Sequence, residues 1–261
     1  MKQTEWKALA AECAGTALLL FGGLSAVIVD FGTGSPVAGW LPDPFWRRVL
    51  TGFLFGSTGC LITLSPLGRI SGAHLNPAVT LAFFGRRLMP WRGLLGYVLA
   101  QLLGAVLGAW TLAAVWGTMG TSQREGVTVP GNNIMAAFAG EVLSTFLLVC
   151  TILLFTAHDR LKPYTPYTIP ILFAGLVGLE APLSGCSANP ARSFGPALVT
   201  GIWTDHWLYW LAPFTGTALA LLLFASPVLN WLRSDVAKLY HFAHDETGFL
   251  RGQERANTIR L

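Results

Sequence analysis

The chain carries the stretch Ser-Gly-Ala-His-Leu-Asn-Pro-Ala at residues 71–78 and a near copy, Ser-Gly-Cys-Ser-Ala-Asn-Pro-Ala, at 184–191. In each copy an Asn precedes a Pro, which is typical of a helix start. The Asn side chain caps the first turn, and Pro, which has no backbone N–H, sacrifices no hydrogen bond at the first helical position. The helix after the first copy is apolar only as far as Gly85, where two arginines follow. It is therefore about 10 residues, or roughly 15 Å, long, which is half the thickness of a bilayer.

The composition outside these two stretches is that of a membrane protein. Of the 261 residues, 53% are hydrophobic and 11% are charged, whereas soluble domains carry about 25% charged residues. The net charge of +4 is small and its basic residues are scattered, which argues against nucleic acid as a partner. The first apolar run, at 8–29, is too long for the core of a signal peptide, so we interpret it as a membrane span.

The apolar runs predict an all-α membrane protein with six transmembrane helices and two half-membrane helices. A single channel domain is expected at 1–230, with half-repeats at 6–116 and 133–230, followed by a polar cytoplasmic tail at 231–261, a short helix and then disorder. Three spans per half force the second half into the opposite orientation, which makes an inverted repeat. The predicted spans are 6–29, 49–64, 93–116, 134–157, 169–183 and 207–228, and the half-helices end at 85 and cover 189–200.

Two half-helices in matching positions indicate a path through the membrane. Each directs the partial positive charge of its N-terminus at the bilayer midplane, and such broken segments are tolerated only where they line a cavity or lie buried in protein. Their positive ends, with Asn76 and Asn189 at the tips, would repel cations and donate N–H groups to a passing oxygen. Arg192, three residues after the second Asn, carries a charge within a membrane segment. Such a charge is energetically costly, so we expect it to serve the function.

The paired Asn-Pro-Ala boxes, each preceded by Ser-Gly, together with Arg192, resemble those of the major intrinsic protein family of aquaporins and glycerol facilitators. The resemblance covers residues 6–230. It implies that Arg192 lines a narrow selectivity filter, with Cys186 as a second filter residue that mercurials would attack. A structural ion pair between Arg192 and Glu180 is the alternative for this arginine. The resemblance also implies a homotetramer.

Two further filter positions are less typical of that family. Twelve residues before Asn189 stands Val177, where water-selective members usually have His, so the filter could be wider and more apolar. The position on the second span is either Gly56 or, with a one-residue insertion near Ser65, Phe55. Gly56 would widen the filter, whereas Phe55 would narrow it.

Other positions resemble the water-channel subgroup. Ser193, Ala197 and the pair Tyr209-Trp210 stand where glycerol facilitators usually have Asp, a basic residue, and Pro with a smaller apolar residue. We give this pattern slightly more weight. The function expected is passive conduction of water with exclusion of protons and ions; the alternative is a broader channel for glycerol, urea, ammonia or hydrogen peroxide.

Glu12 and Glu141 are carboxylates inside apolar spans at matching positions of the two halves, where a proton relay is conceivable. The resemblance implies instead that each supports the loop that leads into a half-helix, which we call a half-loop, by accepting backbone N–H groups of that loop. His74 is grouped with these loop-supporting residues and is expected to face the inner vestibule, with pH gating as a less favoured role.

Neither a catalytic centre nor a cofactor is expected, because Ser71 and Ser184 lack a neighbouring base. The spacing of His241 and His244 suits a metal, but no further ligand is nearby, so we predict no metal site. Thirteen of the 17 basic residues fall on one side if both termini are cytoplasmic, which predicts a multi-pass protein of the plasma or inner membrane.

Overall fold

The computed structural model describes residues 3–242, and no β-strand is found within that range. Ten α-helices follow one another, with short 3₁₀ turns at Arg124–Gly126 and Lys162–Tyr164. The helices are α1 Gln3–Phe31, α2 Val37–Trp40, α3 Pro44–Leu64, α4 Pro66–Ser71, α5 Pro77–Gly85, α6 Trp91–Ser122, α7 Ile134–Ala157, α8 Thr165–Ser184, α9 Pro190–Thr200 and α10 Leu208–Ala225.

Six of these helices are of membrane-spanning length. Five of them, α1, α6, α7, α8 and α10, are both long and apolar enough to cross a membrane. The sixth, α3, has 21 residues, which is roughly 30 Å at 1.5 Å per residue. It is less apolar because Gly, Ser and Thr occupy its middle. The predicted fold class, an all-α membrane protein with two half-helices, is confirmed.

The inverted repeat is visible in which helices pack together. In the first half α1 packs along α6, and in the second half the equivalent helices α7 and α10 pack along each other. The equivalent helices α3 and α8 pack against one another between the halves. This is the arrangement that a pseudo-twofold axis in the membrane plane requires.

Small residues allow the closest helix contacts, as the sequence Gly104-x-x-x-Gly108 predicts. A Cβ added at Gly104 would lie 2.2 Å from Cys13 O, and one at Gly108 would lie 2.4 Å from Ala17 O. Both clashes are with the backbone of α1, which cannot move aside cheaply. The two glycines therefore let α1 and α6 approach to backbone contact.

Several helix ends differ from the prediction. Helix α6 continues to Ser122, beyond a break at Gly117 where φ is 47°. Helix α3 begins at Pro44, five residues early, because Asp43 caps it by accepting the N–H of Phe45. A short helix, α4, precedes the first half-loop and was not expected. These ends depend on caps and on tertiary packing, to which apolar periodicity is insensitive.

The described part of the tail does not form the short helix that was expected. Residues 230–242 contain no helix, and Ala237, Lys238 and Leu239 are buried. The N–H of Leu239 donates to Gly72 O at 3.1 Å, and Lys238 Nζ donates to Arg69 O at 2.6 Å. This part of the tail is thus held against the helix bundle next to α4. We call the end of the bundle that residues 237–239 cover the tail end. The remainder of the predicted tail, 243–261, lies outside the described residues.

Candidate pore

The two asparagines of the repeated stretch cap the half-helices. Asn76 caps α5 with its side-chain oxygen, which accepts the N–H of Ala78 at 2.8 Å. Asn189 caps α9 in the same way, accepting the N–H of Ala191 at 3.0 Å. Both asparagines are 4% exposed. The local signal of Asn before Pro therefore sets both helix starts.

The amide groups of these asparagines tie the two half-loops together. Nδ2 of Asn76 donates to Ala188 O at 2.8 Å, and Nδ2 of Asn189 donates to Leu75 O at 2.9 Å. A primary amide has two N–H groups. Each asparagine uses one of these N–H groups in its hydrogen bond to the opposite half-loop. The second N–H group of each side chain remains available at the cavity that both asparagines line.

The loops before the half-helices share an unusual backbone. Positive φ angles occur at matching non-glycine positions, Ala73 (52°) and Leu75 (53°) in the first loop and Cys186 (50°) and Ala188 (48°) in the second. Such conformations persist only where the surroundings over-determine them. Their recurrence 113 residues apart extends the sequence repeat to the backbone itself.

Buried carboxylates hold both loops. Oε1 of Glu12 accepts the N–H of Leu75 at 2.5 Å. Glu141 accepts the N–H groups of Ser187 and Ala188 at 2.6 and 2.7 Å. Both glutamates are fully buried. The carboxylates thus provide hydrogen-bond partners for irregular backbone, which in a membrane must find its partners inside the protein.

Arg192 lies at the edge of a cavity of about 290 Å³ between the half-loop and α3. Its Nη1 donates to Gly126 O at 2.6 Å, and its guanidinium carbon is 6.0 Å from the centroid of the Phe55 ring. We call this space the filter cavity. Its lining residues are Val27, Thr51, Phe55, Phe173, Val177, Gly185, Cys186 and Arg192.

The alternative for Arg192, an ion pair with Glu180, is not formed. Arg192 and Glu180 form no ion pair within residues 3–242, where Lys162 pairs with Asp159 and with Asp235. Glu180 is hydrogen-bonded to Ser184 instead. Arg192 is therefore positioned by a backbone carbonyl and not by a carboxylate.

Of the two candidates on α3, Phe55 lies in the filter cavity and Gly56 does not. The Cα of Gly56 faces α8, where an added Cβ would lie 2.6 Å from Pro170 Cα and 2.8 Å from Ile169 O. Phe55 stacks on Phe173, with ring centroids 5.8 Å apart. The aromatic side chain thus stands opposite Arg192, while the glycine serves helix packing and lines the adjoining cavity.

That adjoining cavity, of about 510 Å³, continues from Phe55 past both asparagines toward the tail end. Leu239 of the tail lines it as well. Phe55 and Phe173 line both cavities, so the two spaces lie next to each other. Besides Phe55, Gly56 and Leu239, the lining residues are Leu19, Gly59, Thr63, Ala73, His74, Leu75, Asn76, Val79, Leu148, Ile152, Ile169, Phe173, Ser187 and Asn189.

His74 lines this cavity, and the tail covers its ring. Nε2 lies 2.8 Å from Ala237 O, and Nδ1 lies 3.2 Å from Thr80 Oγ1. A carbonyl can only accept, so Nε2 carries a proton. The ring stacks on Phe83 and packs against Tyr97, and it is 2% exposed. Its hydrogen bond to the tail was not expected.

Comparison with known proteins agrees with this geometry. The family model described as major intrinsic protein matches residues 1–224. The chain belongs to the major intrinsic protein family. Chicken lens fiber major intrinsic protein is 34% identical over 241 residues, which cover 90% of this chain and 86% of that protein. Aquaporin AqpM of Methanothermobacter marburgensis is 32% identical over 240 residues, covering 82% of this chain and 94% of that protein.

The plant and structural relatives complete the comparison. Maize aquaporin NIP1-1 is 34% identical over 213 residues, covering 79% of this chain and 69% of that protein. The X-ray structure of the aquaglyceroporin from Plasmodium falciparum superposes with a TM-score of 0.69 at 20% identity and covers 87% of this chain and 98% of that one. Members of this family are channels and not enzymes, so the protein is a passive channel of a membrane.

Some residues of the major intrinsic protein pore were missed at the level of sequence. Thr51 stands one helical turn before Phe55, so the helical period could have placed it on the same face. Val27 and Phe173 lie on other helices, and Gly126 and Leu239 come from the loop before α7 and from the tail. No local pattern marks these four, because only packing brings them to the pore.

The structure adds nothing in favour of a metal site. Within the described residues, no group of three or more His, Cys, Asp or Glu side chains is placed to hold a metal ion. Of the metal-like spacing in the tail, His241 is described, whereas His244 lies outside the described residues.

Proposed function

We propose that the protein conducts water along osmotic gradients and excludes protons and ions. The observation that carries this proposal is the pairing of Phe55 with Arg192 across the filter cavity. An aromatic ring opposite a guanidinium leaves a narrow passage with hydrogen-bond donors on one side. Such a passage suits a small molecule with accessible lone pairs and repels cations.

The central asparagines support exclusion of protons. Each has one amide N–H tied to the opposite loop, which fixes the direction of the other. The N-termini of α5 and α9 add a positive potential at the same point. A water molecule there is oriented by donors on both sides and cannot relay a proton onward.

The alternative function is a channel for larger neutral solutes, and Val177 favours it. This side chain contributes no polar group to the filter cavity, and Val27, Phe55 and Phe173 add further apolar surface. An apolar wall lowers the cost of passing the carbon skeleton of glycerol or of admitting urea. Proteins named aquaporin and aquaglyceroporin are both among the relatives.

Stopped-flow light scattering on proteoliposomes tests the two functions. Vesicles are shrunk in an impermeant osmolyte, and reswelling is then followed in glycerol and in urea. Fast shrinkage without reswelling supports a water channel. Fast entry of either solute favours the alternative, and rates equal to those of protein-free vesicles in both experiments would contradict both.

The assembly and orientation are proposed as a homotetramer with both termini in the cytoplasm. One face of α6 exposes Leu95, Leu99, Leu103 and Leu107 at four-residue spacing, and each is more than two-fifths exposed. This stripe is available to lipid or to neighbouring subunits. Light scattering coupled to gel filtration in detergent measures the subunit number, and labelling of single introduced cysteines in intact cells measures the orientation.

A further inference from the structure

Ser184, at the end of α8, lies between two buried carboxyl groups. Its hydroxyl oxygen is 2.6 Å from Oε1 of Glu141 and 2.5 Å from Oε1 of Glu180. Glu141 is fully buried and Glu180 is 6% exposed. The N–H of Cys186 also points at the same oxygen, at 3.2 Å.

Counting hydrogens shows that one of the two carboxyl groups must be protonated. A serine hydroxyl has one hydrogen to donate and two lone pairs to accept with. The N–H of Cys186 occupies one lone pair. The hydroxyl can donate to one carboxylate only, so the second short contact is a hydrogen bond only if that carboxyl group donates to the remaining lone pair.

The surroundings select Glu180 as the protonated group. Glu141 accepts two backbone N–H groups, from Ser187 and Ala188, and such donors stabilise an ionised carboxylate. The second oxygen of Glu180, Oε2, is buried and has no hydrogen-bond partner within residues 3–242. Leaving one oxygen unpaired costs much less for a neutral acid than for an anion.

We propose that Glu180 is a positioning residue that stays protonated and donates to Ser184, which in turn donates to Glu141. This chain of hydrogen bonds ends on the backbone of 186–188, the loop that carries Cys186 into the filter cavity and leads to Asn189. The inference rests on the proposed function for its effect on flow, but the protonation itself is independent of what the pore conducts.

Among the described residues, Glu180 forms no ion pair with a cation. Neither arginine near it forms an ion pair with it among the described residues, and Arg48 Nε donates to Gly178 O at 3.2 Å. An added Cβ at Gly140 would lie 2.5 Å from Glu180 Oε1, so the carboxyl group is confined. The titratable groups that interact with it are Glu141 from α7, Cys186 from the loop and Tyr209 from α10.

The first half of the repeat lacks this arrangement and provides an internal comparison. Ser71 matches Ser184, but the position that matches Glu180 is Leu67. Glu12 receives a neutral donor instead, because Gln101 Nε2 donates to its Oε1 at 2.7 Å. A second ionisable carboxyl group is therefore specific to the second loop.

Raising the pH should disturb the filter through Glu180. Loss of its proton would leave two carboxylates competing for the one hydrogen of Ser184, in a site with almost no water, where like charges repel strongly. The hydroxyl would turn toward one carboxylate, and the loop at 185–188 would shift. We expect water permeability to fall at alkaline pH to about half or less of its neutral value.

The experiment compares the unmodified channel with Glu180→Gln and Glu125→Gln in proteoliposomes. Gln has the size of Glu, its amide donates to Ser184, and it does not ionise. Glu125 is a matched control, because it is a buried carboxyl group in the loop before α7 and burial raises its pKa. Each protein is measured by stopped-flow between roughly pH 6 and pH 10, a range that includes the pKa values of documented buried glutamates.

Infrared spectroscopy of the same samples reads the proton directly. We expect one component of the carbonyl stretch of protonated carboxylic acids to be present in the unmodified channel and in Glu125→Gln, to disappear at alkaline pH together with flow, and to be missing from Glu180→Gln. Flow through Glu180→Gln should no longer fall at alkaline pH, whereas Glu125→Gln should respond as the unmodified channel does.

Two results would overturn the proposal. One is an infrared band of protonated carboxylic acid whose intensity in Glu180→Gln equals that of the unmodified channel, and the other is an alkaline loss of flow that Glu125→Gln, but not Glu180→Gln, removes. If the proteoliposomes conduct no water at any pH, the proposed function fails, while the infrared titration still decides whether Glu180 is protonated.

Discussion

At the scale of single residues, the pore depends on polar groups whose partners are fixed by the backbone. Arg192 is held by a loop carbonyl, and Asn76 and Asn189 are each held by the opposite half-loop. Because these partners are main-chain atoms, they persist when neighbouring side chains are changed. Substitutions in the filter cavity should therefore alter selectivity with little effect on the fold.

Cys186 should make the channel sensitive to mercury. Cys186 lines the filter cavity beside Arg192, so a mercury ion bound to its thiol would obstruct the route. We expect mercuric chloride to abolish water flow in the unmodified channel and to have no effect on Cys186→Ser. Cys150→Ser, a half-buried thiol on α7, is the control and should stay sensitive. Equal block of Cys186→Ser would place the reactive thiol elsewhere.

Val177→His should sharpen selectivity. Gly52 allows α3 to pack closely against Val177, so a longer side chain can extend only into the filter cavity. There an imidazole would add bulk and a polar group opposite Phe55. We expect the rate of any glycerol or urea entry to fall by a larger factor than the rate of water flow. An equal loss of both in stopped-flow would show that this position does not discriminate.

At the scale of elements, the pore depends on how closely α3 and α8 approach. A Cβ at Gly52 would lie 2.2 Å from Phe173 O and 2.9 Å from Val177 Cβ. The two helices contribute Thr51, Phe55, Phe173 and Val177 to the filter cavity. The width of the filter cavity thus depends on a contact between helix backbones.

Gly52→Ala should destabilise the protein and lower its permeability. Overpacking of a close contact costs about 1–3 kcal/mol, and any separation of α3 from α8 would move filter residues on both. Gly175→Ala is the matched control, because an added Cβ there meets nothing within 4 Å. Thermal unfolding in detergent should show a lower midpoint for Gly52→Ala only. Equal midpoints would mean that α8 can shift without cost.

At the scale of the whole molecule, the tail end of the pore is completed by residues distant in sequence. Ala237 and Leu239 belong to the same hydrophobic cluster as Leu75 and Val79 of the first half-loop and half-helix. Leu239 also lines the large cavity together with both asparagines. The route toward the tail end therefore passes the tail itself.

Leu239→Ala should raise water permeability. Removing this side chain enlarges the cavity at the tail end, where Leu239 stands beside the route. Leu232→Ala is the matched control, because Leu232 is equally part of the tail but packs in a separate cluster with Ala82 and Val149. Each substitution should cost about 2–5 kcal/mol of stability, but only Leu239→Ala should speed shrinkage in stopped-flow. Unchanged or slower flow in both would contradict this role.

Much of the architecture could be predicted because it depends on local signals. Asn before Pro starts a helix wherever it occurs, apolar runs of about 20 residues span a membrane, and the repeat of Asn76 at Asn189 implies the inverted symmetry. The half-helix starts, the six spans and the matching positions of Glu12 and Glu141 in the two halves follow from such patterns. The start of α3 and the end of α6 could not be predicted from such patterns, because helix caps and tertiary packing determine them.

The sequence by itself determined the spans, the repeat and the residues that carry polar groups into the membrane. Only the tertiary structure decided that Phe55 and not Gly56 enters the filter cavity, since one residue of register turns a helix by about 100°. It also decided that residues 236–239 close against the half-loop and that Ser184 lies between two carboxyl groups. These outcomes require segments 43 to 169 residues apart in the sequence to meet. Tertiary packing, and not the local sequence pattern, determines how close such segments come in space.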